Sequence, residues 1–246
     1  TMGHIITDLK ETFRRGNIFI QLIYINVSIF IIGTLINVFL QLFQHSIPDI
    51  FGIFALPASF IRFFHQPWSI ITYMFMHGGF SHIFFNMFAV FMFGTVLERT
   101  WGPKRFLFYY IACGIGAGLI QEGVQYIKYI VDYSHYSQVD IGTGIIPMGE
   151  FLNMLTTVGA SGAVYAILLA FGMLFPNNQL FIFPLPFPIK AKFFVFGYAL
   201  IELYAGFANN PGDNVAHFAH LGGMIFGFIL IMYWRKKSRN NGTYYN

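Results

Sequence analysis

The sequence carries one cysteine, Cys113, in 246 residues, and only 10% of its residues are charged. A lone cysteine excludes an internal disulfide and a cysteine-built metal cluster. The shortage of charge tells more, because a soluble domain carries about 25%. It excludes a solvated surface over most of the chain, and a net charge of +4 provides no basic field suited to nucleic acid. The first residues, TMGHIITDLKETFRRGN, lack the apolar stretch and small-residue cleavage site of a secretory leader, so none is expected. There is also no H-E-x-x-H zinc motif.

What is present is apolar. Hydrophobic residues make up 56% of the chain and 32 residues are Phe, which suits a lipid-facing surface. Six apolar runs can be drawn, near 18–43, 80–97, 106–128, 159–175, 191–208 and 215–234, each close to the length that crosses a core of about 30 Å. The expected class is therefore an all-α, polytopic membrane protein. It divides into a segment 1–17, a six-helix domain 18–234 and a basic tail 235–246. The connection 44–79 contains FGIFALPASFIRFFHQPWSIITYMFM, too apolar for an ordinary loop and too broken by Pro57 and Pro67 for a span. It reads as a segment lying at the membrane interface. The connection 129–158 is also long and carries Gly142, Gly144 and Pro147.

Orientation follows from the cations. Of the 14 Lys and Arg residues, 12 fall on one side of the expected spans, and Arg62 and Lys128 fall on the other. The positive-inside rule then puts both termini in the cytoplasm and the two long connections outside. The expected location is a bacterial cell (inner) membrane.

The fourth run is the odd one. From Gly159 to Phe175 is 17 residues, about 25 Å of helix, short for a bilayer. Its head, GASGAVY, places Ser161 between glycines. Irregular backbone at membrane depth survives only inside protein or beside a water-filled cavity. Ser161 is thus expected to open a helix below the outer membrane surface.

Polar groups inside spans are costly and mark function. Here they are Ser161, His82 with Asn86, His217 with His220, and Glu202. A serine among small residues commonly serves only helix packing, and a membrane histidine commonly serves only the bundle's hydrogen bonding. Their combination favours chemistry. His220 shares a helix face with Gly223 and Gly227, and the fourth run has a small face of Gly159, Gly162, Ala163, Ala166 and Ala170. Helices with such faces approach closely enough for an imidazole on one to activate a hydroxyl on the other. His217 lies nearer the outer water, so His220 is the expected base. His82 and Asn86, spaced i, i+4, share a face and can donate to an oxyanion. Asp213, the carboxylate nearest to His220 in sequence, is seven residues away in the outer loop, so a dyad is the simpler reading. For Glu202, mid-span in the fifth run, burial favours the protonated form, and its readings are a structural hydrogen-bonding role in the bundle, which is favoured, and a role in gating. A zinc site from His77, His82, His217 and His220 is the competing enzyme reading. It lacks both the motif and a cysteine pair. GIGAG at 114–118 lies mid-span with no strand before it and reads as helix packing.

Four motifs stand in order: HGGFSHIFFN (His77, His82, Asn86), ERTWG (98–102), GASGAVY (159–165) and AHLGGMIFG (219–227). Together they resemble the signature set of the rhomboid intramembrane serine proteases. The resemblance covers the chain from roughly 67 to 227. It implies a six-helix core with a Ser–His dyad, matched by Ser161 and His220. It also implies an oxyanion site from His82, Asn86 and the Ser161 backbone N–H, and a tyrosine packed on the base, matched by Tyr165. Gly159 falls in the same motif as a supporting position. The first long connection corresponds to the family's half-submerged outer loop, and the fifth helix to its proposed lateral gate. The implied activity is cleavage of transmembrane segments of membrane proteins near the extracytoplasmic side, without cofactor or metal. The other reading is a catalytically inactive relative that binds membrane clients. Oligomeric state is left open.

Overall fold

The computed structural model describes residues 17–43, 50–181, 186–208 and 215–240. The expected segment 1–17, except Asn17, and the last six residues of the expected tail lie outside them. Six principal helices follow in order: α1 (Ile18–Leu42), α2 (Phe80–Trp101), α3 (Pro103–Tyr133), α4 (Ser161–Leu174), α5 (Ala191–Ala208) and α6 (His217–Asn240). Among the described residues, five helices are long and apolar enough to cross a membrane; α4 is the shorter apolar one. Its 14 residues span about 21 Å. The helix does start at Ser161, with Ala160 as its cap.

Three boundaries differ from the sequence reading. α2 contains a wider π-helical turn, Val90–Gly94, and continues past the apolar run through Glu98 and Arg99 to Trp101, where Gly102 ends it. α3 extends to Tyr133 through a second such turn. α6 runs through Arg235, Lys236, Lys237 and Arg239 to Asn240, so the described half of the basic tail is helix. No Gly or Pro stands between Arg235 and Asn240 to end it.

α4 is the centre of the bundle. Gly162, Ala163, Val164, Ala166, Ile167, Leu168, Ala170, Phe171 and Gly172 are all buried, as befits a helix apolar on every side. It packs against α3 and α6 through small residues. A Cβ built on Gly162 would lie 2.4 Å from the Ala117 Cβ, and one on Gly223 would lie 1.9 Å from the Gly162 carbonyl oxygen. One on Gly227 would sit 2.3 Å from the Tyr109 hydroxyl, which donates to the Ala166 carbonyl at 2.8 Å. α5 is seated differently. Its buried residues are Ala191, Val195 and Glu202, while Phe193, Phe196, Leu200, Ile201, Tyr204 and Phe207 are exposed.

The opposite end of the bundle is fixed by ERTWG. Buried Glu98 accepts from the first amides of α1, Ile18 N–H at 3.0 Å and Phe19 N–H at 2.9 Å, and so caps a helix that has no side-chain cap of its own. Gly102 takes φ 81°, a left-handed conformation that favours glycine, and Pro103 opens α3 directly after it. Trp101 and Trp234 meet at 5.5 Å, and the Arg105 guanidinium lies 4.0 Å over Trp234.

The long connection between α1 and α2 is built from short helices, Ile50–Phe54, Phe60–His65 and Ser69–Thr72. Leu56–Pro57 pairs antiparallel with Thr156–Thr157, which brings both long connections over the start of α4. Arg62 reinforces the junction by donating to the carbonyls of Gly52 and Asn153, both at 2.6 Å.

Candidate active site

Ser161 owes its place to the residues just before it. Gly159 adopts φ 128°, outside the range of ordinary side chains, and its N–H donates to the Tyr73 carbonyl at 2.9 Å. That bend ends the incoming connection and lets α4 begin with Ser161, half-buried, at its first turn. The amides of a first helical turn lack intrahelical acceptors and point towards any anion placed there.

Across the close contact between α4 and α6, His220 meets Ser161. Its Nε2 lies 2.8 Å from Ser161 Oγ, and its Nδ1 lies 2.9 Å from Glu202 Oε2. With Nδ1–H donating to the carboxylate, Nε2 is left to accept the serine proton. The Tyr165 ring, one turn below Ser161, stacks on the imidazole at 4.2 Å and 7°. The Tyr165 hydroxyl donates to Glu202 Oε1, and His217 Nδ1 lies 2.6 Å from Glu202 Oε2.

Glu202 is therefore the hub of the site, a position that the dyad reading of the sequence did not assign it. Three donors from two other helices converge on its carboxyl group. Such an arrangement suits an ionised carboxylate, which accepts on both oxygens, rather than the protonated acid suggested by its mid-span position alone. The missed signal was the face shared by His217 and His220, three residues apart, together with a buried carboxyl on the preceding helix.

His82 stands on the other flank. A Cβ on Gly159 would lie 2.7 Å from His82 Nε2 and 3.5 Å from Ser161 Oγ, so Gly159 gives both its conformation and its clearance to the site. Asn86 is buried on the same face of α2, but its Nδ2 donates to the His82 carbonyl at 2.9 Å, within its own helix. His77 packs edge-on against His82 at 5.1 Å. Burial, with His82 beside it, lowers the His77 pKa to about 4, so it packs as a neutral ring.

The four histidines of the competing zinc reading split into two pairs, His77 with His82 and His217 with His220. Among the described residues, a metal could instead be held by Glu202, His217 and His220, whose ligand atoms lie within 4.8 Å of one another. Those atoms already satisfy each other by hydrogen bonding.

A family model of the rhomboid domain matches residues 65–237. Among curated proteins, the chain is 30% identical over 167 residues to the rhomboid protease AarA of Providencia stuartii, covering 66% of this chain and 54% of that one. It is 28% identical over 172 residues to YdcA, a rhomboid of Bacillus subtilis, covering 66% and 65%. It is also 27% identical over 163 residues to the chloroplastic rhomboid-like protein 16 of Arabidopsis thaliana, covering 65% and 47%. In each case the match spans less than two thirds of the relative's own length.

Proposed function

Because the chain belongs to the rhomboid family, we propose that it is an intramembrane serine endopeptidase in which Ser161 is the nucleophile and His220 the general base. The observation that carries this reading is the 2.8 Å contact between Ser161 Oγ and His220 Nε2. Serine is a weak nucleophile until a neighbouring base takes its proton. In the proposed reaction Oγ attacks the carbonyl carbon of the scissile peptide while its proton passes to Nε2. The oxyanion that forms is met by the Ser161 backbone N–H, His82 and Asn86. Collapse of the adduct breaks the C–N bond, and the proton on Nε2 goes to the leaving amine. Water then repeats the sequence on the acyl group and restores Ser161.

The substrates in this reading are transmembrane segments of other membrane proteins. The apolar helices and the family make the chain an integral, multi-pass membrane protein. We place both termini in the cytoplasm and the site near the extracytoplasmic side, on the 12-to-2 division of Lys and Arg.

The test is cleavage of a synthetic single-span peptide and labelling by a fluorophosphonate, using purified parent, Ser161→Ala, His220→Ala and His217→Ala. Both Ser161→Ala and His220→Ala should lose at least about 10³-fold in rate. His217→Ala should remain partly active, and strong chelators should leave the parent rate unchanged. Retained cleavage by pure Ser161→Ala would remove the serine reading. A folded parent that binds the peptide but neither cleaves it nor takes label would instead favour a client-binding relative.

A further inference from the structure

We propose that Glu202 is a positioning residue for His220, supplied by a helix that carries neither the nucleophile nor the base, so that the catalytic unit is a triad spanning α4, α5 and α6. This rests on the serine reading above and deepens it.

The geometry is specific. Glu202 Oε2 accepts from His220 Nδ1 at 2.9 Å, on the opposite side of the ring from the Nε2–Ser161 contact. A carboxylate there selects the tautomer in which Nε2 is the acceptor, and faces the positive ring that forms when the serine proton arrives. The proton moves only between Oγ and Nε2; the Nδ1 proton stays on His220, shared with Glu202. The carboxylate is itself aimed. His217 Nδ1, at 2.6 Å, holds the same Oε2, and the Tyr165 hydroxyl holds Oε1. Tyr165 also stacks on His220 at 4.2 Å, so the residue that packs the base also orients the carboxylate serving it. A purely structural glutamate would need only the donors. It would not need to share one oxygen between the two histidines while the His220 imidazole reaches the serine with its other nitrogen.

Its position on α5 matters. Ala191 and Val195, the other buried residues of that helix, lie at its start. Glu202 comes seven residues after Val195, about 10 Å further along. It is the buried anchor of the end of α5 nearest Ser161.

The experiment compares the parent with Glu202→Gln and Glu202→Asp in fluorophosphonate labelling, separating the maximal labelling rate from half-saturation, and records the melting temperature of each. Glutamine keeps the shape and an acceptor but loses the charge. Glu202→Gln should lower the maximal rate by on the order of 10²–10⁴, with half-saturation and melting temperature near the parent's. Glu202→Asp, which restores the charge on a shorter arm, should recover part of the rate. A Glu202→Gln rate within about threefold of the parent overturns the proposal. So does a loss that follows the melting temperature, or one that Glu202→Asp shares in full. Ser161→Ala is run alongside. If it still takes label, the serine reading itself fails; if it is silent while Glu202→Gln is unaffected, only the present inference does.

Discussion

An amide nitrogen carries two hydrogens, and at Asn86 one of them is engaged by the His82 carbonyl at 2.9 Å. The other is what could serve an oxyanion without disturbing the helix. Asn86→Ala should therefore slow peptide cleavage by about 10²–10³, the usual cost of one oxyanion donor, without abolishing it. Steady-state kinetics on the synthetic peptide checks this, and an unchanged rate would leave Asn86 as a packing residue. At this scale the sequence disclosed a great deal. Ser161 and His220 could be paired because both sit on small-residue faces at matching depth, and Tyr165 because it falls in the same motif as Ser161. Glu202 was harder to pair with His220, since an inter-helix connection separates them and the face shared by His217 and His220 beside a mid-span carboxyl does not by itself say which groups meet. Only the crossing of α5 and α6 brings the carboxylate to the imidazole.

Among elements, the α4–α6 contact allows the sharpest forecast. Gly223→Ala would place a methyl 1.9 Å from a backbone oxygen of α4, an atom that cannot turn aside as a side chain can. α6 must shift, at a cost of about 1–3 kcal/mol by the measure of overpacked cores, and His220 shifts with it. The variant should melt lower and lose serine labelling even where it remains folded. Gly197→Ala on α5, whose added methyl meets nothing within 4 Å, should match the parent in both measurements. The six apolar helices were legible from apolar length alone, five of them long enough to cross a membrane, and the shortness of α4 was legible too. The ends of α2, α3 and α6 were not. Charged residues continue α2 through Glu98 and Arg99 and α6 through Arg235 to Arg239 as readily as apolar ones, and a π-helical turn carries α3 through Tyr129–Tyr133 without a sequence break.

For the whole molecule, the two ends of the bundle do different work. At the end away from Ser161, Glu98 caps α1 through two amides. Glu98→Ala should leave both without that acceptor and cost about 1–3 kcal/mol of stability. This would appear as an earlier unfolding midpoint, while the folded fraction labels at the parent rate. That coupling was invisible in sequence because Glu98 and Phe19 stand 79 residues apart. At the other end, Glu202 ties His220 to α5, a helix of 18 residues that turns most of its surface outward. Its apolar length of about 27 Å is slightly less than the roughly 30 Å core of an average bilayer, so in such a bilayer it thins the lipid around it, and it tilts where the core is thinner than the helix. A tilt of α5 moves the Glu202 carboxylate relative to an imidazole held by α6 and stacked on α4. The thickness of the surrounding lipid thereby becomes a variable of the proposed catalytic site, and in the serine reading acyl-chain length acts on proteolysis without touching Ser161 or His220.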